Sequence, residues 1–99
     1  MNDITPEELN QRLREGETLT ILDVREEWEY EEHNLGGLLL PLNTLPDQLD
    51  RLKEYQVQEL IVHCQSGKRS KQAKKFLLKN GFANVRSLQG GIEAFKNLL

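Results

Sequence analysis

The spacing of apolar residues along the chain predicts an alternation of strands and helices. Short runs with apolar residues predict strands at residues 19–24, 38–40, 60–62 and 84–88, and the run at residues 60–62 is rich in β-branched side chains. Helices, most of them with apolar residues three or four positions apart, are predicted at residues 26–32, 47–52, 69–80 and 92–98. Strands separated by helices in this way indicate an α/β domain with a mainly parallel sheet.

A further helix near the N-terminus carries clear boundary signals. Thr5 is a favourable N-cap, Pro6 suits the first helical position, and Glu8 follows the cap at the spacing of a capping box. Leu9 contributes to the apolar face, and Gly16 supplies a stop. The chain is therefore expected to enter its first helix at Thr5 and to leave it near Gly16.

The composition fits one globular domain. The 99 residues are enough for one modest core and too few for two, so residues 1–99 are expected to form a single domain. The longest uninterrupted apolar stretches, among them residues 38–40, are too short for a transmembrane helix. The N-terminus lacks the basic and apolar regions of a secretory signal. A single cysteine fits a reducing compartment, and we expect a cytoplasmic protein with no membrane partner.

The charges are distributed unevenly. A net charge of −3 argues against a nucleic-acid-binding protein. Residues 25–32 contain five glutamates, whereas residues 68–79 contain six basic residues and no acid, and most of these charges are expected on solvated helix faces. Lys68 and Arg69 are the exceptions, because we expect them in the loop before the helix. Local positive charge at this loop, on a protein that is acidic as a whole, is suited to binding a small anionic substrate.

The only cysteine, Cys64, is expected at the exit of the strand formed by residues 60–62. The loop after it, up to Ser70, leads into the N-terminus of a helix, where free N–H groups and the helix dipole bind anions. Lys68 and Arg69 add positive charge, and this setting favours a thiolate. A lone cysteine is more often a small buried hydrophobic residue. The position of Cys64, with Gly67 and two cations close by, favours chemistry instead.

Four segments carry recognisable motifs in order along the chain. They are residues 23–30 with Asp23, Arg25 and Trp28, residues 33–41 with His33, Gly36 and Pro41, residues 64–70 with Cys64, Gly67 and Arg69, and residues 81–91 with Gly81, Gly90 and Gly91. Together they resemble the rhodanese-like (sulfurtransferase) domain family over nearly the whole chain. Two positions depart from the family pattern, because Glu32 and Asn34 flank His33 in place of a glycine and an apolar residue.

The resemblance implies a three-layer α/β fold, with a central parallel sheet of about five strands and helices on both faces. Asp23 and Arg25 are expected to anchor this fold through hydrogen bonds and an ion pair rather than to perform chemistry. His33 is also expected to be structural, because two histidines and one cysteine are too few for a metal site. The resemblance implies no metal and no organic cofactor.

The resemblance also implies transfer of sulfane sulfur through a persulfide on the catalytic residue, Cys64. The donor would be a small anion such as thiosulfate, or a persulfide, and the acceptor would be cyanide or a thiol, including a protein thiol. Loop N–H groups would stabilise the anionic persulfide, and Gly67 would let the chain curl around the sulfur. Lys68 and Arg69 would hold the sulfonate of the donor. The residues expected to bind substrate are Gln65, Ser66, Gly67, Lys68, Arg69 and Ser70.

Two other functions stay open. A phosphatase or arsenate reductase is suggested by His63 before Cys64, but those enzymes place an arginine six residues after the cysteine, where this chain has Ser70. Arg69 comes one position earlier, and the shorter loop suits one sulfur atom better than a phosphate. The other alternative is a persulfide carrier or regulatory binding module with a protein partner. Fast transfer to one protein, with poor turnover of small thiols, would distinguish the carrier.

Overall fold

The computed structural model describes residues 3–98, in which helices and strands alternate as predicted. In chain order the elements are α1 (Pro6–Arg14), β1 (Ile21–Asp23), α2 (Glu27–Glu32), β2 (Leu38–Leu39), a 3₁₀ helix (Leu42–Tyr55), β3 (Glu59–His63), α3 (Lys68–Lys79), β4 (Asn84–Ser87) and α4 (Gly91–Lys96). Apart from the 3₁₀ helix, the boundaries lie within about two residues of the predicted ones. The hydrophobic pattern therefore located the secondary structure correctly.

The segment between β2 and β3 is longer and wound more tightly than the helix predicted at residues 47–52. It is a 3₁₀ helix from Leu42 to Tyr55 with Pro46 inside it. Proline has no N–H to donate, and in an α-helix its ring clashes with the carbonyl four residues earlier. Leu45 and Leu52 are nevertheless fully buried. The apolar spacing thus predicted the buried side of this segment but not its helical type.

Within the described residues, the sheet contains four parallel strands in the order β2-β1-β3-β4. The register pairs Ile21 of β1 with Ile61 of β3. The family resemblance implied about five strands. Within residues 3–98, the further pairing beside β4 is an isolated parallel bridge between Ile4 and Leu88. The pairing stops there because Thr5, directly after Ile4, already caps α1 and accepts a hydrogen bond from the Glu8 N–H at 3.0 Å.

Two apolar layers cover the two faces of the sheet, as expected for a three-layer α/β fold. The first is formed by side chains of the sheet, α3 and the 3₁₀ helix, among them Val62, Cys64, Leu45, Ala73 and Leu77. The second is formed by side chains of the sheet, α1 and α4, among them Ile61, Leu88, Leu9 and Phe95. The side chains of successive strand residues point to opposite layers, which places Cys64 beneath α3.

The helices that cover the sheet are short. The longest α-helix, α3, has 12 residues, whereas about 20 apolar residues are needed to cross a bilayer. Within residues 3–98, no helix is long and apolar enough to span a membrane.

Candidate functional site

Cys64 lies immediately after β3 at the carboxyl end of the sheet. Residues 64–67 connect β3 to α3, and Gly67 is the N-cap of α3. The φ of Gly67 is 106°, a left-handed conformation that glycine adopts readily because it has no Cβ. Only 1% of the surface of Cys64 is exposed. The cysteine is therefore a buried thiol at the N-terminal end of a 12-residue helix.

Lys68 and Arg69 lie in the first turn of α3 and not in the loop before it, which corrects the sequence prediction. The helix begins earlier because Gly67 makes the sharp turn, and the Lys71 N–H then donates to the Gly67 carbonyl at 3.2 Å. The side chain of Lys68 is exposed, whereas that of Arg69 is partly buried. The two cations are therefore fixed to a helix backbone and differ in their access to water.

The sulfur atom of Cys64 receives hydrogen bonds from the loop and from the start of α3. The Gly67 N–H donates to Sγ at 3.0 Å, and the Ser70 N–H donates to it at 3.4 Å. The hydroxyl oxygen of Ser70 lies 3.7 Å from Sγ. N–H groups aimed at a sulfur atom, at the positive end of a helix dipole, stabilise negative charge on that sulfur. The geometry is suited to an anionic sulfur species.

Ser70 links this arrangement to β4. Its Oγ donates to the Gly67 carbonyl at 3.1 Å and lies 2.7 Å from Oγ of Ser87. Ser87 is a fully buried polar residue on β4. Either hydroxyl can be the donor in the hydrogen bond between Ser70 and Ser87. These hydrogen bonds fix Ser70 and the turn at Gly67 relative to the sheet.

The start of α4 supports the loop from its other side. The Ile92 N–H donates to the Cys64 carbonyl at 2.9 Å, and the Glu93 N–H donates to the Gln65 carbonyl at 3.1 Å. Gly91 lies so close that a Cβ there would meet the Gln65 carbonyl oxygen at 2.3 Å. The glycine pair near residue 90 therefore has a physical role, because it lets a helix terminus press against the backbone of the cysteine.

The other predicted binding residues lie around the sulfur rather than on it. Ser66 is exposed in the loop, and Lys68 is exposed in the first turn of α3. Gln65 is partly buried, and its amide oxygen accepts a hydrogen bond from Arg25 at 3.5 Å. Of the predicted set, Gly67 and Ser70 thus touch the sulfur directly. The roles of Gln65, Ser66 and Lys68 in binding a donor stay predictions.

Arg69 forms a bidentate ion pair with Glu29 of α2. Its two terminal nitrogens lie 2.7 and 2.9 Å from the two carboxylate oxygens. Glu29 is only 8% exposed and also accepts the Glu26 N–H at 2.9 Å. The hydrogen bonds from Arg69 lower the pKa of Glu29 from its usual 4.5 to about 2, so the carboxylate is ionised at neutral pH. A donor that approaches Arg69 therefore meets a guanidinium already matched by a carboxylate.

A second buried ion pair, between Arg25 and Asp23, lies beside the loop, where Arg25 also reaches Gln65. Arg25 binds the Asp23 carboxylate with its Nη2 at 2.8 Å and its Nε at 3.0 Å, and it also donates to the His33 carbonyl at 2.7 Å. The hydrogen bonds and the ion pair expected between Asp23 and Arg25 are present, and their role as an anchor of the fold stays a prediction. His33 contributes a backbone carbonyl, while its side chain is exposed. His63 is completely buried beside Asp23, and burial lowers its pKa.

Three residues that shape the site were not among the predicted site residues. Glu29, Ser87 and Gly91 lie in three different elements, and each acts on the loop from outside it. The available signal for Ser87 was a polar residue at a strand position, and for Gly91 a second consecutive glycine before a helix. Glu29 is one of five glutamates within eight residues, and nothing in the pattern distinguishes it from its neighbours.

Comparison with known proteins agrees with this fold. The model of the rhodanese-like domain family matches residues 5–98. The chain is 31% identical over 96 residues to a sulfurtransferase of Allochromatium vinosum, covering 96% of this chain and 88% of that protein. It is 33% identical over 90 residues to a tRNA uridine(34) hydroxylase of Hamiltonella defensa, covering 86% of this chain and only 25% of that protein.

Solved structures show the same architecture. A rhodanese-like domain protein from Staphylococcus aureus superposes with a TM-score of 0.85 at 29% sequence identity. The alignment covers 96% of this chain and 91% of that structure. With a family match over nearly its whole length and this agreement in fold, the chain belongs to the rhodanese-like domain family.

Proposed function

We propose that this protein transfers sulfane sulfur through a persulfide on Cys64. The donor is thiosulfate or a persulfide, and the acceptor is cyanide or a thiol. The observation that carries the proposal is the buried Sγ of Cys64, which accepts hydrogen bonds from the backbone N–H groups of Gly67 and Ser70. Membership of a family that includes sulfurtransferases agrees with it. The reaction belongs in the cytoplasm, because a free thiolate needs a reducing compartment.

The reaction proceeds in two steps. The Cys64 thiolate attacks the outer sulfur of thiosulfate, the S–S bond to the sulfonate breaks, and sulfite leaves with the bonding electron pair. The terminal sulfur is now anionic and bound to Sγ as a persulfide. The acceptor then attacks that terminal sulfur, and Cys64 leaves as the thiolate. One difficult transfer is thereby divided into two displacements, which is the general advantage of covalent catalysis.

The described residues stabilise the anionic sulfur of Cys64, but the sequence offers no second thiol to take up the transferred sulfur. The N–H groups of Gly67 and Ser70 donate to Sγ, so they stabilise the negative charge of the thiolate that attacks the donor and that is released again in the second step. Because the sequence contains a single cysteine, no second thiol of this chain can resolve the persulfide. The acceptor must therefore come from outside the chain. Lys68 and Arg69 are the proposed contacts for an anionic donor, with Gln65 and Ser66 at the rim.

A persulfide carrier that delivers sulfur to a protein thiol is the second candidate. The observation that favours it is the ion pair between Arg69 and Glu29, because an arginine that is already paired binds a small free anion more weakly. The same pair disfavours the phosphatase, which needs a free arginine for its phosphate, and Arg69 is also one position too close to Cys64. A carrier would use the same persulfide on Cys64.

Thiocyanate formation tests the proposal. Wild-type protein is supplied with cyanide and with either thiosulfate or an alkyl persulfide, and Cys64→Ser serves as the comparison. We expect Cys64-dependent thiocyanate with at least one donor and none with Cys64→Ser, while thermal unfolding shows that the variant remains folded. Thiocyanate at the wild-type rate from Cys64→Ser would eliminate Cys64 as the nucleophile. Transfer that becomes fast only with a protein thiol as acceptor would favour the carrier.

A further inference from the structure

The ion pair between Arg69 and Glu29 changes the electrostatics of the site. Both terminal nitrogens of Arg69 are engaged by Glu29, at 2.7 and 2.9 Å. The carboxylate is held in place independently, since it also accepts the Glu26 N–H in the capping box that begins α2. Hydrogen bonding to Glu29 raises the pKa of Arg69, so both partners are fully charged. The pair behaves as a neutral unit fixed between two helices.

The other charges near Cys64 leave little net positive potential. Arg25 is buried and paired with Asp23 at 2.8 Å. Lys68 is exposed, and within residues 3–98 no carboxylate lies at ion-pair distance from it. Its charge is surrounded by water and screened by salt, so its attraction for an anion is weak. Without Glu29, Arg69 would be the strongest partly buried positive charge beside the loop.

We propose that Glu29 determines which sulfur donors the Cys64 loop accepts, because it neutralises Arg69 and so favours donors of low charge, such as alkyl persulfides, over dianionic thiosulfate. The inference rests on the proposed sulfur transfer and narrows its donor class. Glu29 is a specificity-determining residue that acts through Arg69 and does not itself contact the sulfur atom of Cys64. A dianion must displace Glu29 from Arg69 or accept its repulsion. The repulsion is weaker for a singly charged donor and absent for a neutral one.

The chemistry at sulfur is the same for every donor of this kind. An alkyl persulfide, R–S–SH, gives its outer sulfur to the Cys64 thiolate, its S–S bond breaks, and R–SH leaves with the proton while the new persulfide carries the negative charge. Thiosulfate gives the same persulfide and sulfite. Methanethiosulfonate, a monoanion, gives the same persulfide and methanesulfinate. Differences between these donors therefore report on charge and shape at the site rather than on a different reaction.

Two donors of different charge make the test specific. Thiosulfate and methanethiosulfonate both carry a sulfane sulfur next to a sulfonyl group, and they differ by one negative charge. We would measure kcat/KM for each, with cyanide as the common acceptor, in wild type and in Glu29→Gln. Glutamine keeps an acceptor for Arg69 and for the Glu26 N–H but removes the charge. We expect the ratio of thiosulfate to methanethiosulfonate kcat/KM to rise about tenfold, which corresponds to about 1.4 kcal/mol.

Matched variants separate charge from structure. Glu27→Gln removes the same charge from an exposed position of α2 and is expected to leave the ratio at the wild-type value. Glu29→Asp keeps the carboxylate and is expected to stay close to wild type. Arg69→Gln leaves Glu29 without its cation and is expected to move the ratio in the opposite direction. The double variant Glu29→Gln with Arg69→Gln restores a neutral pair and should return the ratio toward wild type, even if one single variant folds poorly.

The outcomes distinguish this inference from the proposed function. If both donors give Cys64-dependent thiocyanate but Glu29→Gln changes both kcat/KM values equally, Glu29 is structural and the inference is wrong. An unchanged ratio in Glu29→Gln and Arg69→Gln alike would also overturn it. If neither donor, nor an alkyl persulfide, produces thiocyanate that depends on Cys64, the proposed function itself fails. A rise in the ratio that is confined to Glu29→Gln supports the inference.

Discussion

Gly91→Ala is the substitution for which the structure makes the sharpest prediction about the cysteine loop. The φ of Gly91 is +67°, and a Cβ there would lie 2.3 Å from the Gln65 carbonyl oxygen and 2.6 Å from the Cys64 carbonyl oxygen. Both neighbours are backbone atoms and cannot rotate away. The alanine methyl group can therefore be accommodated only if the loop or the start of α4 moves.

The cost can be worked out from three contributions. A left-handed conformation costs a residue with a Cβ about 1–2 kcal/mol. Movement of α4 breaks the hydrogen bonds from Ile92 to Cys64 and from Glu93 to Gln65, at about 1 kcal/mol each. Alanine returns about 0.4–1 kcal/mol by restricting the unfolded chain. The sum is a loss of about 3 kcal/mol in the free energy of unfolding, to which any strain that remains is added.

Gly16→Ala is the matched control. Gly16 also has a positive φ, +83°, but a Cβ there would have no atom within 4 Å. Only the conformational contributions apply, so we expect a loss of about 1 kcal/mol and an unchanged rate of sulfur transfer. The comparison isolates the contact between α4 and the cysteine loop from the general cost of replacing a left-handed glycine.

Urea unfolding and steady-state kinetics measure the two effects. Gly91→Ala should lower the free energy of unfolding by about 2 kcal/mol more than Gly16→Ala. At a temperature where it is still folded, its kcat/KM for sulfur transfer should fall at least about tenfold, because displacement of the loop weakens the N–H groups at Sγ. If Gly91→Ala were as stable and as active as Gly16→Ala, the contact with α4 would not hold the loop, and our account of the site would be wrong in this respect.

Three further predictions concern the residues around the sulfur. Arg69→Ala leaves Glu29 as a partly buried, uncompensated carboxylate and should raise the KM for thiosulfate; an unchanged KM would remove Arg69 from the site. Ser70→Ala leaves the Ser87 hydroxyl buried without its partner and should lower the free energy of unfolding by about 1–3 kcal/mol in urea titrations, a loss that Ser66→Ala at the exposed rim should not show. Because the pKa of Glu29 is about 2 when folded and 4.5 ordinarily, its stabilisation is complete above about pH 4.5 and is lost as the pH falls toward 2. Acid titration of stability should therefore be shallower for Glu29→Gln, and identical curves would contradict the assignment.

The sequence predicted the local structure and the cysteine because their signals are local. The N-cap at Thr5 is read from neighbouring residues, and the structure shows its hydrogen bond at 3.0 Å. Burial of Val62 and Leu77 follows from spacing alone. The hydrophobic pattern also predicted that Cys64 lies just beyond the carboxyl end of a strand, because it shows where each strand ends and the next helix begins. These predictions needed no knowledge of which distant segments touch.

The remainder depends on contacts between distant parts of the chain. Arg69 and Glu29 are 40 residues apart, and one glutamate among five in a short segment gives no hint that it faces the cysteine loop. From the sequence, Arg69 was therefore expected to be available to bind a donor, whereas in the structure its charge is paired with that of Glu29. The number of strands differs from the expected five for another reason. The N-cap at Thr5 starts α1 directly after Ile4, so the described pairing beside β4 is the bridge between Ile4 and Leu88.

Intact mass spectrometry shows whether Cys64 carries a persulfide. Wild-type protein and Cys64→Ser would be weighed before and after incubation with thiosulfate, methanethiosulfonate or an alkyl persulfide, and again after cyanide. We predict a gain of one sulfur atom on the wild type with at least one donor, its removal by cyanide as thiocyanate, and no gain on Cys64→Ser. A wild-type protein that gains no sulfur from any donor, although its Cys64 still alkylates readily, would contradict the account.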